Sequence, residues 1–139
     1  MSKKIILIAG PTASGKSKLA IEIAQKIKGE IINADSMQVY KEFSVLSSRP
    51  SSSDLKKIKH HLYGFISIKK HFSTGAWLIL VKKKINQCIK NKKIPILVGG
   101  TGLYYKALTE GLVEIPSIPL KNRNKIRLLQ KSIGQKKFL

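Results

Sequence analysis

Residues 4 to 17 read Lys4-Ile-Ile-Leu-Ile-Ala-Gly-Pro-Thr-Ala-Ser-Gly-Lys-Ser17, and this stretch decides the fold. Lys4 to Ala9 is a continuous apolar run without alternation, the pattern of a strand buried on both faces of a parallel sheet. Glycine ends it. From Ser17 onward Leu19, Ala20, Ile23, Ala24 and Ile27 recur at helical spacing, and Gly29 supplies a stop. Between strand and helix the residues fit G-x-x-x-x-G-K-[ST], with Gly10, Gly15, Lys16 and Ser17 in the fixed places. Such a loop turns successive N–H groups inward while the helix N-terminus adds partial positive charge at the same spot. The expected cradle is Gly10, Pro11, Thr12, Ala13, Ser14, Gly15, Lys16 and Ser17. Lys16 neutralises the outer phosphate oxygens, and the Ser17 hydroxyl ligates a Mg²⁺ that bridges them. A glycine turn used only for packing is disfavoured by the strand and helix on either side.

The rest of the chain repeats the scheme. Glu30 to Ala34 reads as a second strand, with Asp35-Ser-Met-Gln-Val-Tyr40 at its carboxyl end, where open α/β sheets place ligand groups. Residues 43–53 are serine-rich and hold Pro50, so they predict a loop into a short basic helix over 54–60. Residues 62–67 predict a third strand. Ser73 caps a helix whose buried stripe is Trp77, Leu80, Val81, Ile85, Cys88 and Ile89. Ile94 to Val98 is another continuous apolar strand, expected to be the last of the sheet, and it ends in Gly99-Gly-Thr-Gly102 before a helix carrying Leu103, Ala107 and Leu108. Residues 113–119, with two prolines, predict a linker into a basic helix over 121–131. The expected fold is α/β, a P-loop NTPase-like parallel sheet with flanking helices.

Composition narrows the partners. The chain of 139 residues has 42% hydrophobic residues, which suits one domain with a single core. Lysine and arginine number 27 against 7 acidic residues, a formal net charge of +20. That favours an anionic partner such as RNA, although a lysine-rich chain with many Ile and Asn also arises from compositional bias alone. Cys88 is the one cysteine, so an internal disulfide is excluded and a reducing compartment is expected. The apolar run after Met1 is too short for a signal peptide or a membrane span, so the expected location is the cytoplasm, with no membrane partner.

The loop by itself does not name the reaction. A small kinase acting on a hydroxyl acceptor, a nucleotide hydrolase and a transferase of another diphosphate need the same cradle, and a non-catalytic RNA-binding module also fits the charge. Asp35 carries the decision. A carboxylate there can hold Mg²⁺, orient a substrate hydroxyl or act as general base toward an amine, and it can also be an ordinary turn residue.

Four segments in order, GPTASGKS (10–17), NADSMQVYK (33–41), HHLYGFISIKKHFSTGAW (60–77) and IPILVGGTGLYYKALTEGL (94–112), resemble the motifs of the tRNA dimethylallyltransferases, also called tRNA isopentenyltransferases. The resemblance runs from about Lys4 to about Arg127. It implies that the loop binds the diphosphate of dimethylallyl diphosphate as a leaving group. The acceptor it implies is the exocyclic N6 amine of the adenine 3′-adjacent to the anticodon, in tRNAs reading codons that begin with U, and the product is isopentenyladenosine. By matching position, Asp35 is the general base, Thr12, Lys16 and Ser17 contact the diphosphate, and Asp35, Ser36, Met37, Gln38, Thr101 and Arg123 contact the tRNA. The implied cofactor is Mg²⁺ and the implied partner is the tRNA anticodon arm.

Residues 41–50 depart from the family, replacing the glycine-containing Gly-x-Asp-Ile-Gly-Thr-Ala-Lys-Pro that is commonest there, whereas His60-His61 match a family histidine pair to which no catalytic role is assigned. The larger departure is the absent second half. Family members are roughly twice as long. The expectation is therefore a truncated amino-terminal part, with residues 1–112 as core and 113–139 as linker and start of a helical insertion, inactive and poorly folded alone, and monomeric when complete.

Overall fold

The computed structural model describes residues 4–113 and 118–138. Its elements are β1 (Ile6–Ala9), α1 (Lys16–Ile27), β2 (Gly29–Asn33), a 3₁₀ turn (Lys41–Phe43), α2 (Ser52–Lys57), β3 (His60–His61), α3 (Thr74–Lys90), β4 (Ile94–Gly99), α4 (Gly102–Thr109), α5 (Leu120–Ile133) and α6 (Gln135–Phe138). The four strands form one parallel sheet in the order β1-β4-β2-β3. Alternation along each strand sends neighbours to opposite faces. Ile31, Ile96 and Val98 pack on Ala20, Ile21 and Ala24 of α1, while Ile32, Ala34 and Leu97 pack on Trp77, Val81, Ile85 and Cys88 of α3 and Tyr104 of α4. The parallel α/β sheet with flanking helices agrees with the sequence reading.

Several local expectations change. β4 is not the last strand but lies between β1 and β2, covered on both faces, so its apolar run is fully explained by burial. β1 is the edge instead, and only one of its faces is covered. Ile6 and Ile8 meet the α1 cluster, whereas Ile5 and Leu7 are 42% and 43% exposed. The third strand sits at His60–His61 and not over 62–67, because Leu62 and Gly64 take left-handed backbone conformations (φ 63° and 51°) that break an extended run. One bridge, Tyr40 to Ile66, remains beyond it. Gly29 is a strand residue rather than a helix stop: a Cβ there would lie 2.7 Å from Ile96 Cδ1, and the left-handed C-cap is Lys28. The helix expected over 54–60 spans Ser52–Lys57, opened by a capping box between Ser51 and Asp54. Ser73 caps α3 as expected, accepting from the Ala76 N–H. Of the linker over 113–119, residues 114–117 lie outside the described residues.

Beside the core, β2 and β3 are joined through side chains. His61 Nε2 lies 2.6 Å from Glu30 Oε2, and Cys88 Sγ donates to the same oxygen at 3.5 Å, all three residues being buried. Burial raises the Glu30 pKa, but the His61 hydrogen bond and the nearby Lys59 charge outweigh it and hold the carboxyl below its ordinary 4.5. His60 is also pushed below its ordinary 6.5, chiefly by desolvation. Both depressed values stabilise the fold above the unfolded pKa and lose that contribution as pH falls through the folded one. The melting midpoint should therefore fall on acidification, first below about pH 6.5 and again below about pH 4.5, followed by circular dichroism. Glu30→Ala should cost about 3 kcal/mol by stranding His61 and Cys88, and should remove the second step.

Candidate active site

Because all four strands run parallel, their carboxyl ends share one sheet edge, and the register sets what meets there. Ala9 of β1 lies beside Gly99 of β4, and Asn33 of β2 lies beside Val98. The phosphate loop therefore leaves the sheet next to the Gly99-Gly-Thr-Gly102 turn, which is itself next to Asp35. With strands about 4.8 Å apart, the loop and Asp35 are separated by two strand spacings, about 10 Å.

The loop is tied at its start by the Gly10 N–H to Gly99 O, at 3.3 Å, and closed by the Ser14 N–H to Pro11 O, at 3.4 Å. Ala13 and Gly15 take left-handed conformations, with φ of 64° and 80°, which turn the loop into a concave rim. Lys16 folds back over it, its Nζ donating to Pro11 O at 2.8 Å. Thr12, Ala13, Ser14, Gly15, Lys16 and Ser17 line a cavity of about 300 Å³, which Gln38 and Ser48 close on the other side. Helices α2 and α3 have serine caps. Helices α1, α4 and α5 have no side-chain cap and no acid in the first turn, and of these α1 and α4 follow directly from β1 and β4. The first N–H groups of α1 thus have no side-chain cap at the edge where the strands end.

Asp35 is held by its backbone. The buried Asn33 amide accepts the Asp35 N–H at 2.9 Å and donates to Asp35 O at 2.9 Å and to Leu62 O at 3.0 Å. Trp77 Nε1 in turn donates to Asn33 O at 3.0 Å, and the indole stacks on Tyr104 with ring centroids 4.1 Å apart. One carboxylate oxygen, Oδ1, accepts the Met37 N–H at 2.9 Å, so Asp35 does serve as a turn residue. Its Oδ2 makes no hydrogen bond among the described residues and lies toward Gly100. Tyr104 and Tyr105 are both pushed up to about 12, chiefly by burial with the Asp35 charge adding to the shift in each, and so stand as neutral phenols.

The other expected site residues divide. Thr101 Oγ1 accepts the Ser36 N–H at 2.9 Å and donates to Ser36 Oγ at 3.3 Å, so Ser36 and Thr101 join the two turns. Met37 is 51% exposed. The Gln38 side chain is 9% exposed and donates to Ser47 O and Ser48 O, at 2.7 and 3.4 Å, which anchors the segment lacking the family's glycines. Ser48 supplies the left-handed turn there (φ 50°), and Arg49 reaches back to Tyr40 O at 3.3 Å. Arg123 is not brought to this site: it lies exposed on α5, a helix with no buried residue. Asn33, Ser48 and Tyr105 were missed by sequence reasoning. Asn33 had a usable signal, since a polar side chain two residues before Asp35 in an otherwise apolar strand needs a partner.

The parallel sheet with flanking helices, and the glycine loop that joins β1 to α1, define an α/β protein. Residues 38–139 match the family described as IPP transferase, and the chain belongs to that family. It is 65% identical over 135 residues to the tRNA dimethylallyltransferase of Pelagibacter ubique, covering 97% of this chain and 43% of that one. It is 51% identical over 122 residues to the enzyme of the same name from Rhizobium rhizogenes, covering 88% and 41%. Among solved structures it resembles the full-length tRNA isopentenylpyrophosphate transferase of Bacillus halodurans, with a TM-score of 0.78, 29% identity, and 94% and 44% covered. It also resembles a eukaryotic dimethylallyltransferase acting on tRNA, with a TM-score of 0.80, 33% identity, and 90% and 32% covered. The chain thus spans about two fifths of the length of the curated relatives it matches.

Asn33→Ala should free the Asp35 amide to exchange with solvent while leaving the Gly10 amide protected, read by hydrogen exchange, and should lower stability by about 1–3 kcal/mol.

Proposed function

We propose that this chain carries the donor site and the general base of a tRNA dimethylallyltransferase. The observation behind this reading is the juxtaposition along one sheet edge of an uncapped loop–helix phosphate cradle and a carboxylate fixed by the Asn33 clamp, with the Gly99 turn between them. In this reading Gly10, Pro11, Thr12, Ala13, Ser14, Gly15, Lys16 and Ser17 hold the diphosphate of dimethylallyl diphosphate. An exocyclic aromatic amine is a weak nucleophile because its lone pair is delocalised. Asp35 takes its proton as the new C–N bond forms, and the C–O bond to the diphosphate breaks. Negative charge that builds on the leaving group meets the α1 N–H groups and Lys16 without reorganisation.

The fit of Mg²⁺ rests on Ser17, whose exposed hydroxyl stands at the uncapped start of α1. One protein oxygen is enough where phosphate and water complete the shell, and the ion would neutralise diphosphate charge there. The acceptor in this reading is the N6 amine of the adenine 3′-adjacent to the anticodon, taken out of its stack at a cost of a few kcal/mol. Ser36, Met37, Gln38 and Thr101 surround that base, and Arg123 meets the tRNA backbone. The same reading divides the chain into a core over 1–112 and the start of a helical segment over 113–139, in line with the exposure of α5. The described residues contain no helix long and apolar enough to cross a membrane.

Joining this chain to the remaining length of the Pelagibacter ubique relative gives a protein for product analysis. With tRNA and dimethylallyl diphosphate it should yield prenylated adenine without ATP. Asp35→Ala should lower turnover by about 10²–10⁴-fold with the diphosphate affinity little changed, whereas Lys16→Ala should weaken both. A strict ATP requirement with phosphate transfer would reject the reading in favour of a kinase. Loss of diphosphate binding in Asp35→Ala would make Asp35 a metal-site residue.

A further inference from the structure

We infer that the sheet edge opposite the candidate active site is a separate anion-binding surface that takes the phosphate backbone of RNA. The topology assembles it. In a parallel sheet all amino ends lie together, and here each strand is entered through lysine: Lys4 before β1, Lys28 before β2, Lys59 before β3, and Lys92 and Lys93 before β4. The pairing of Gly29 with Ile94, Ile31 with His60 and Ile6 with Ile96 puts these residues within about two positions of one level. Four strands span about 15 Å at the usual spacing. The last turns of α1 and α3 add Lys26 and Lys90 from the two faces.

No salt bridge among the described residues neutralises this edge, although the Lys59 charge acts on the buried Glu30 carboxylate. Among the described residues the salt bridges join Lys57 to Asp54, His61 to Glu30 and Lys106 to Glu110, and none involves a lysine of the edge. Glu30, the carboxylate at this level, is buried against His61. Glu22 faces the groove between α1 and α2, and Asp35 and Glu42 follow the opposite end of β2. Lys26 and Lys90 sit where a helix C-terminus favours a cation in any case. Lys28, the C-cap of α1, and Lys92, just past the C-cap Asn91 of α3, share that setting but differ in backbone. Both adopt left-handed backbone conformations, with φ of 56° and 54°, at turns where glycine or asparagine is the comfortable residue. A charged side chain is kept at two strained positions of the same edge.

The chemistry favours an RNA backbone over a lipid surface. A membrane site needs apolar side chains beside its cations. At this edge Ile27, Ile58 and Ile89 are turned onto the core clusters, and although Ile5 beside Lys4 is 42% exposed, the rim is mainly ammonium groups suited to regularly spaced phosphates. Binding there reads no bases and leaves the candidate active site free.

The test uses the 139-residue chain and fluorescein-labelled tRNA, with anisotropy followed over rising KCl. Replacing four exposed edge lysines, as K4Q/K28Q/K90Q/K92Q, should make the plot of log affinity against log salt shallower by about 2–3, whereas the arginine versions of the same four should keep the wild-type slope. Replacing the cations of α5, as K121Q/R123Q/K125Q/R127Q, should leave the part of the slope due to the edge in place. K28G/K92G separates function from folding: it should raise the thermal midpoint by relieving the two turns and still weaken RNA binding. An unchanged slope in the edge glutamine variant would overturn the inference, as would an absence of RNA binding by the wild-type chain. Binding to phosphatidylglycerol vesicles with none to tRNA would also overturn it, in favour of a lipid surface.

Discussion

The site depends on one close approach, between the end of β4 and the turn that follows β2. A Cβ at Gly99 would stand 2.1 Å from the carbonyl carbon and oxygen of Ala34, so glycine is required for the two chains to pass. Hydrogen bonds fix the crossing: the Ala34 N–H donates to Val98 O at 2.8 Å, the Thr101 N–H to Ala34 O at 3.3 Å, and the Gly10 N–H to Gly99 O at 3.3 Å. Gly99 thereby connects the phosphate loop on one side with the Asp35 turn on the other. Tyr105 reinforces the same point, its hydroxyl donating to Ile8 O at 2.8 Å. A side chain at 99 would collide with the Ala34 backbone at the point that joins the Gly10–Ser17 loop to the Asp35 turn.

What surrounds this crossing is polar but satisfied. Asn33 is the clearest case, a fully buried amide that spends its donors and its acceptor on backbone groups and so converts strand position into carboxylate position. Thr101 does the same for Ser36 across the two turns. The segment over 41–50 shows how a loop can be rebuilt without its usual glycines. Gln38 gathers the Ser47 and Ser48 carbonyls, Ser47 Oγ donates to Phe43 O, and the Arg49 guanidinium lies over Gly64. These contacts bring Ser48 to the rim of the cavity lined by residues 12–17.

Much of this was legible in the sequence, for reasons that can be stated residue by residue. The phosphate loop is local, so its glycines, lysine and flanking periodicities suffice to place it. Ile94 to Val98 reads as a doubly buried strand because burial on both faces removes alternation. What the sequence does not carry is strand order. The first strand and Ile94 to Val98 look alike as strings, yet β4 is central and β1 is an edge strand of the sheet. The left-handed residues at 62 and 64 likewise ended a strand that composition favoured. Asp35 was legible as a candidate, but its clamp was not, because Asn33 finds Leu62 across 29 residues of chain.

The central claim is that the loop and the α1 N-terminus bind a diphosphate, at the edge shared with Asp35. It is tested most directly by assigning the backbone amides of this chain by NMR and titrating dimethylallyl diphosphate with Mg²⁺. The account predicts saturable shifts at the Gly15, Lys16 and Ser17 amides, a smaller response at Gly100 and Thr101, and loss of the response in Lys16→Ala. Shifts confined to Lys28, Lys92 and their neighbours, or a response at the loop to ATP but none to dimethylallyl diphosphate, would contradict it.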